Sequence, residues 1–243
     1  MRTITKNAAK LQQLTRSVPR AGIILGWLLL PALLAAAQAA DIELFNGKNL
    51  DGWVAEGVTE ITRDGKNEPV WTTRDGLLVC RGSGFGFLRY KDREFTDFVF
   101  HLEFRMAPGC NSGIGIRTTA FDPERSRETR PSYYSYEIQL MDDAGKPATP
   151  HSSGSLYRYI APRVSAMRPA GEWNAMEIEC VGPRIKVTLN GEVIQDVDQQ
   201  TVEALKAKPL RGHMALQNHG GNIEFRAINV KDLSKNPAKP AQQ

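Results

Sequence analysis

The sequence lacks most of the residue groupings that mark the commoner chemistries. It has three cysteines in 243 residues, Cys80, Cys110 and Cys180, and their spacing fits no zinc motif. There is no G-x-S-x-G, no H-E-x-x-H and no G-x-x-x-x-G-K, which removes the motifs of serine hydrolases, zincins and phosphate-binding loops. The E-x-D-x-E carboxylate cluster used by retaining glucanases is also missing, although two distant carboxylates can still meet in space. Helical periodicity is nearly absent. Only 201–207 reads as a short helix, with Val202 and Leu205 three apart. There is no internal repeat.

A surplus of basic charge is missing from the main body of the chain. The 31 basic and 27 acidic side chains suggest otherwise, but Arg2, Lys6, Lys10, Arg16 and Arg20 stand in a leading segment with no acid. Beyond residue 39 there remain 26 basic groups against 27 acidic ones. Such a balance does not attract nucleic acid. The leading segment continues as the apolar run Ala21–Ala37 and ends in Ala37-Gln38-Ala39. A basic start, an apolar middle and an A-x-A ending predict a cleavable signal peptide over 1–39. An uncleaved anchor is the competing reading, but the run is short for a span of ~20 residues and Pro31 interrupts it. No cysteine follows directly, so no lipid anchor is expected. The location is then periplasmic or secreted. That compartment admits one disulfide among Cys80, Cys110 and Cys180. Cys80 with Cys180 is the pair that predicted strands favour, against a reading of all three as small buried apolar residues.

After residue 40 the pattern has period two, the signature of half-buried strands. In 98–106, Phe98, Phe100, Leu102, Phe104 and Met106 alternate with Val99, His101, Glu103 and Arg105. Segments 114–118, 136–141, 176–180, 185–189 and 213–218 alternate in the same way. Asn190-Gly191 between two such runs is a strong hairpin signal, because both residues tolerate positive φ. Asn46-Gly47, Asp64-Gly65, Asp75-Gly76 and Pro108-Gly109 mark further turns. Many short strands with Gly/Pro turns predict an all-β sandwich or barrel. One domain is expected over 40–233, followed by a disordered tail at 234–243 of sequence SKNPAKPAQQ. The polar stretch 119–135, with Arg125, Arg127 and Arg130, is expected to be a long loop over one end or face. Loops of that length are often functional.

The second faces of several strands carry directional polar groups instead of Lys and Thr. They hold His101, Glu103, Arg105, Arg117, Glu137, Gln139 and Gln217, with His219 in step if its strand continues. Such groups suit a sugar-binding surface; cross-strand ion pairs on a solvated sheet are the plainer explanation. Asn111 at a strand entrance, Ser155 beside Gly154, and Tyr157 as a stacking platform complete the candidates. Trp53, Trp71 and Trp173 read as core residues.

Seven segments carry a resemblance: LFNGKNLDGW (44–53), DFVFHLEFRMAPGCNSGIGIRT (97–118), YEIQLMDD (136–143), SGSLY (153–157), GEWN (171–174), LNGEVIQD (189–196) and HMALQNHGGNIEFRAINVKDL (213–233). In this order they resemble the 3-keto-disaccharide hydrolase family. One departure is SGSLY, where the family more often has a T-G-A-I-Y-like segment. The resemblance implies a concanavalin A-like jelly-roll β-sandwich of two antiparallel sheets. It also implies cleavage of the glycosidic bond in sugars already oxidised at C3. A C3 ketone acidifies the C2 proton, so a base, an electrophile for the enolate and a proton for the leaving group suffice. By that implication Glu137 or His219 is the base and Arg117 or Arg105 faces the enolate. Asn111, Gln139, Ser155, Tyr157 and Gln217 bind substrate. A divalent metal cation is the alternative electrophile, with Glu137, Asp142 and His219 as candidate ligands. A partner oxidoreductase supplying the 3-keto sugar is implied as well. The competing classes are a non-catalytic carbohydrate-binding module and an ordinary glycosidase.

Overall fold

The computed structural model describes residues 41–234. The expected signal peptide, and the expected tail beyond Ser234, lie outside the described residues. The strands are β1 (Asp41–Glu43), β2 (Trp53–Gly57), β3 (Glu60–Arg63), β4 (Lys66–Pro69), β5 (Trp71–Arg74), β6 (Leu77–Cys80), β7 (Gly86–Tyr90) and β8 (Phe98–Met106). They continue as β9 (Asn111–Thr118), β10 (Tyr136–Met141), β11 (Trp173–Val181), β12 (Arg184–Leu189), β13 (Glu192–Asp198), β14 (His213–Asn218) and β15 (Ile223–Asp232). Two short helices, α1 (Ser126–Thr129) and α2 (Pro131–Tyr134), stand between β9 and β10.

An eight-stranded sheet runs β13-β12-β11-β8-β15-β6-β5, with β1 added beside β15, and a five-stranded sheet runs β10-β9-β14-β7-β2. Their pairings are antiparallel. The expected sandwich is therefore present. Turn chemistry sets the hairpins. Asp64-Gly65, Asp75-Gly76 and Asn190-Gly191 all have both residues at positive φ, which matches the right-handed twist of the strands they join. Hairpin β3–β4 pairs with neither large sheet.

Period-two patterning sends one face of each sheet inward. Along β8 burial alternates strictly, and Phe98, Phe100, Leu102 and Phe104 are fully buried. They share one core with Ile114, Ile116, Ile138, Leu140, Met214 and Leu216 from the five-stranded sheet. Truncation there leaves a cavity as well as losing apolar contact. Phe104→Ala is expected to cost roughly 3–5 kcal/mol, read as a lowered denaturant midpoint at unchanged slope.

One expectation is revised here, and one open alternative is decided. The helix expected at 201–207 is two 3₁₀ turns, Gln199–Thr201 and Glu203–Leu205, which bury one residue each, Gln199 and Leu205. All three cysteines are free and buried, and burial pushes each thiol up to about 12. They act as small core residues.

Candidate active site

The outer face of the five-stranded sheet is where polar side chains are buried. Strand β9, between β10 and β14, carries glycine there at two successive outward positions, Gly113 and Gly115. A Cβ at Gly113 would lie 3.0 Å from Glu137 Cγ and 3.1 Å from its Oε1, and one at Gly115 would lie 3.0 Å from Pro131 Cγ. The bare strand lets side chains of its two neighbours meet across it. Gln217 on β14 thus donates Nε2 to Glu137 Oε1 on β10 at 2.8 Å, although the two strands are not paired. Beside them Gln139 donates Nε2 to Asn111 Oδ1 at 2.9 Å.

The segment 119–135 covers this face as short helical turns, and its residues dictate that course. Asp122 Oδ1 accepts from Glu124 N at 2.9 Å, with Pro123 opening the turn. Thr129 Oγ1 ties back to the Asp122 carbonyl at 3.0 Å. Pro131 then forces its predecessor out of helical conformation, and Arg130 is extended at φ −67, ψ 132. That kink between α1 and α2 lays the Arg130 guanidinium over the Phe85 ring, 4.3 Å from its centre. Phe85, Phe87 and Phe121 form an edge-to-face wall with centroids 5.1–5.6 Å apart. His219 stands against Phe85 at 5.4 Å.

A second cover comes from 154–157. Gly154 N donates to the Gln139 carbonyl at 2.8 Å, Gln139 N to the Ser155 carbonyl at 3.2 Å, and Tyr157 N to the Glu137 carbonyl at 2.9 Å. The segment behaves as a short extra strand on the free edge of β10. Leu156 goes into the core, and alternation puts Ser155 and Tyr157 on the Glu137 face. His151 packs edge-on to Tyr157 at 5.2 Å.

Electrostatics single out Glu137. It is 2% exposed, and burial pushes its carboxyl above the usual range. Arg130, the hydrogen bond from Gln217, and Ser132 and Arg158 nearby pull the other way. Partial desolvation and the Arg130 charge hold the His219 imidazole below its ordinary value, which favours its neutral form. Arg158 also lies 4.3 Å from the Tyr133 ring centre and lowers that phenol. The buried atoms here without a hydrogen-bond partner within the protein include Glu137 Oε2, Gln139 Oε1, Gln217 Oε1 and Ser155 Oγ on the face, and Arg130 Nε and Ser132 Oγ in its cover. Buried polar atoms are normally paired, so such a cluster marks a place built for a ligand.

The structure brings together Glu137, Asn111, Gln139, Ser155, Tyr157, Gln217 and His219 of the sequence candidates. It moves three others elsewhere. Arg117 was expected on the outer face, but it has φ +53 beside a register shift between β9 and β14. Such an irregularity breaks the alternation. The fully buried guanidinium points inward, donating to the carbonyls of Thr96 and Gly182, each at 2.8 Å. Arg105 lies on the outer face of the other sheet, bonded to Glu224 and stacked on Trp173, and His101 and Glu103 share its strand. Asp142 accepts from Gly109 N at 2.9 Å and so closes the β8–β9 turn. Among the described residues no three His, Cys, Asp or Glu side chains form a metal-sized group, so Glu137, Asp142 and His219 are not a ready ligand set.

Arg130 and Arg158 occupy the place proposed for Arg117 and Arg105. The signal for Arg130 was its position before Pro131 in a polar, arginine-bearing stretch. Nothing local marks Arg158. Phe85 and Phe87 were legible only as two aromatics around Gly86.

Comparison with known proteins agrees with this fold. The profile of the 3-keto-alpha-glucoside-1,2-lyase-like domain matches residues 40–231. A 3-keto-disaccharide hydrolase of Bacteroides thetaiotaomicron is 26% identical, over 79% of this chain and 78% of that protein. A glycosyl hydrolase candidate of Parabacteroides distasonis superposes with TM-score 0.65 at 22% identity, over 80% of this chain and 94% of the other. A second from that organism gives 0.62 at 25% identity, over 80% and 100%.

Proposed function

The chain belongs to the 3-keto-alpha-glucoside-1,2-lyase-like domain family, and from that premise we propose that it cleaves the glycosidic bond of 3-keto-glycosides by elimination followed by hydration. The observation that carries this reading is the Glu137 carboxylate, buried, with Oε2 unpartnered and two guanidinium groups near it. That is the apparatus for taking a proton beside a ketone.

Glu137 removes the C2 proton, and its electrons become the C2–C3 double bond of an enolate. Arg130, with Arg158 behind it, stabilises the negative charge on the C3 oxygen. The enolate re-forms the ketone and expels the glycosidic oxygen from C1, which takes up a proton, leaving a C1–C2 double bond. Water then adds to C1, and C2 regains a proton. Neutral His219 at the rim serves as the base for that water. Gln139, Asn111, Gln217, Ser155 and Tyr157 hold the hydroxyls. The wall of Phe85, Phe87 and Phe121 supports the apolar face of the ring. The substrate ketone has to be supplied by an oxidoreductase acting at C3, and a signal peptide at 1–39 would place the reaction in the cell envelope.

The test is turnover of a chromogenic 3-keto-glucoside beside its unoxidised parent. Release from the keto sugar alone is expected. Equal release from both would overturn elimination in favour of ordinary glycoside hydrolysis.

The pH profile follows from the sign of the Glu137 shift. A base must be ionised, and a raised pKa means protonation begins at higher pH. Thus kcat/KM falls on the acid side through an apparent value above the ordinary glutamate figure of about 4.3. If this limb is the titration of Glu137, His219→Asn leaves it in place whatever it does to the rate.

A further inference from the structure

We propose that the opposite sheet carries a second ligand site, a groove for a saccharide bearing an anionic group. The outer face of the eight-stranded sheet holds a cavity of about 600 Å³, lined among others by Arg63, Arg74, Arg81, Arg105, Asn222 and Glu224. Its arginines come from separate elements. Arg105 is on β8, Arg74 on β5, and Arg81 follows β6. Arg63 is brought in by hairpin β3–β4, which belongs to neither sheet.

The charges there do not balance. Glu224 takes both Arg74, at 2.9 Å, and Arg105. Arg81 pairs with Glu68. Arg63 is in no ion pair among the described residues, and one of its terminal nitrogens donates to the Arg81 carbonyl at 3.2 Å. Four guanidinium groups therefore face two carboxylates. Guanidinium forks match carboxylate and sulfate oxygens in pairs, so the surplus selects an oxyanion.

The volume calls for more than a bare ion. Thr72 and Asn222 line the same cavity and offer neutral partners for hydroxyls. Stacking is not available from Trp173, which does not line the cavity and whose ring already carries Arg105 at 4.9 Å and Arg226 at 4.0 Å from its centre. Recognition there rests on charge and hydrogen bonds, which excludes a neutral sugar and fits a uronate or a sugar sulfate. This site is independent of Glu137 and of the elimination reading.

The experiment titrates the ¹⁵N-labelled protein at low salt with glucuronate, glucose 6-sulfate, glucose and sodium sulfate. The expected result is saturable amide shifts around Arg63, Thr72, Arg81 and Asn222 from one or both acidic sugars, and none from glucose. Arg63→Ala, which breaks no ion pair, should weaken the binding about tenfold and leave turnover of the keto sugar unchanged. Glu137→Gln should leave the binding intact. Shifts from glucuronate alone identify a carboxylate site, and shifts from the sugar sulfate alone a sulfate site. The proposal is overturned if neither acidic sugar moves these amides, if Arg63→Ala binds as well as the parent, or if sodium sulfate binds as tightly as glucose 6-sulfate.

Discussion

Glu137→Gln lowers kcat/KM for a chromogenic 3-keto-glucoside by about 10³-fold, within the ~10²–10⁴ that a positioned general base contributes. The substitution is close to isosteric. The amide oxygen still accepts from Gln217 Nε2, which is 2.8 Å from the carboxylate in the parent, and Gly113 leaves room beside it. What disappears is the basic lone pair on the unpartnered Oε2. Folding should survive, because the change removes a buried charge and keeps its volume. The residual activity should also lose the acid limb of the pH profile. A loss under about tenfold, with unchanged circular dichroism, would remove Glu137 from the role of base and pass it to His219.

Arg130→Ala is the second large effect, a loss of about 10²–10³-fold, the scale measured when one preorganised donor to a developing oxyanion is removed. Two further signs identify the cause. Arg130 favours the charged form of Glu137, so its removal moves the acid limb to still higher pH. Lysine at the same place is a poor substitute, because a point charge cannot reproduce the fork of a guanidinium held 4.3 Å over the Phe85 ring. Arg105→Ala serves as the comparison. Its partners are Glu224 and Trp173, on the other sheet, and turnover should change by no more than about twofold. Equal losses in the two variants would show that Arg130 has no special access to the reacting atoms.

The contrast between these arginines shows how far the sequence could be read. Alternation alone put Glu137, Gln139 and Gln217 on the polar faces of their own strands, because β10 and β14 are regular there and a period of two has a single solution. Arg105 obeyed the same alternation, but one-dimensional periodicity does not say which of two sheets a strand joins. Arg117 failed for a different reason. A non-glycine residue at positive φ leaves no mark in composition, and it turned the side chain into the core. Arg130 and Arg158 reach the site through non-repeating turns. Their direction depends on a proline kink and on edge pairing, which become visible only once the sheet they cover exists. The sandwich itself was legible because hydrophobic alternation and Asp-Gly and Asn-Gly turns agree along the chain.

The short strand at 154–157 has a consequence beyond holding Ser155 and Tyr157 in place. A sheet with an open edge offers unpaired N–H and C=O groups to any extended chain that drifts past, including another copy of itself. Strand β10 would be such an edge, and it is rich in Tyr, Ile and Leu. By filling Gln139 N, Gln139 O and Glu137 O with its own loop, the protein keeps this β-prone strand from acting as a template. Shortening 150–160 should therefore yield a protein that associates through β10 and precipitates as its concentration rises, well before it unfolds.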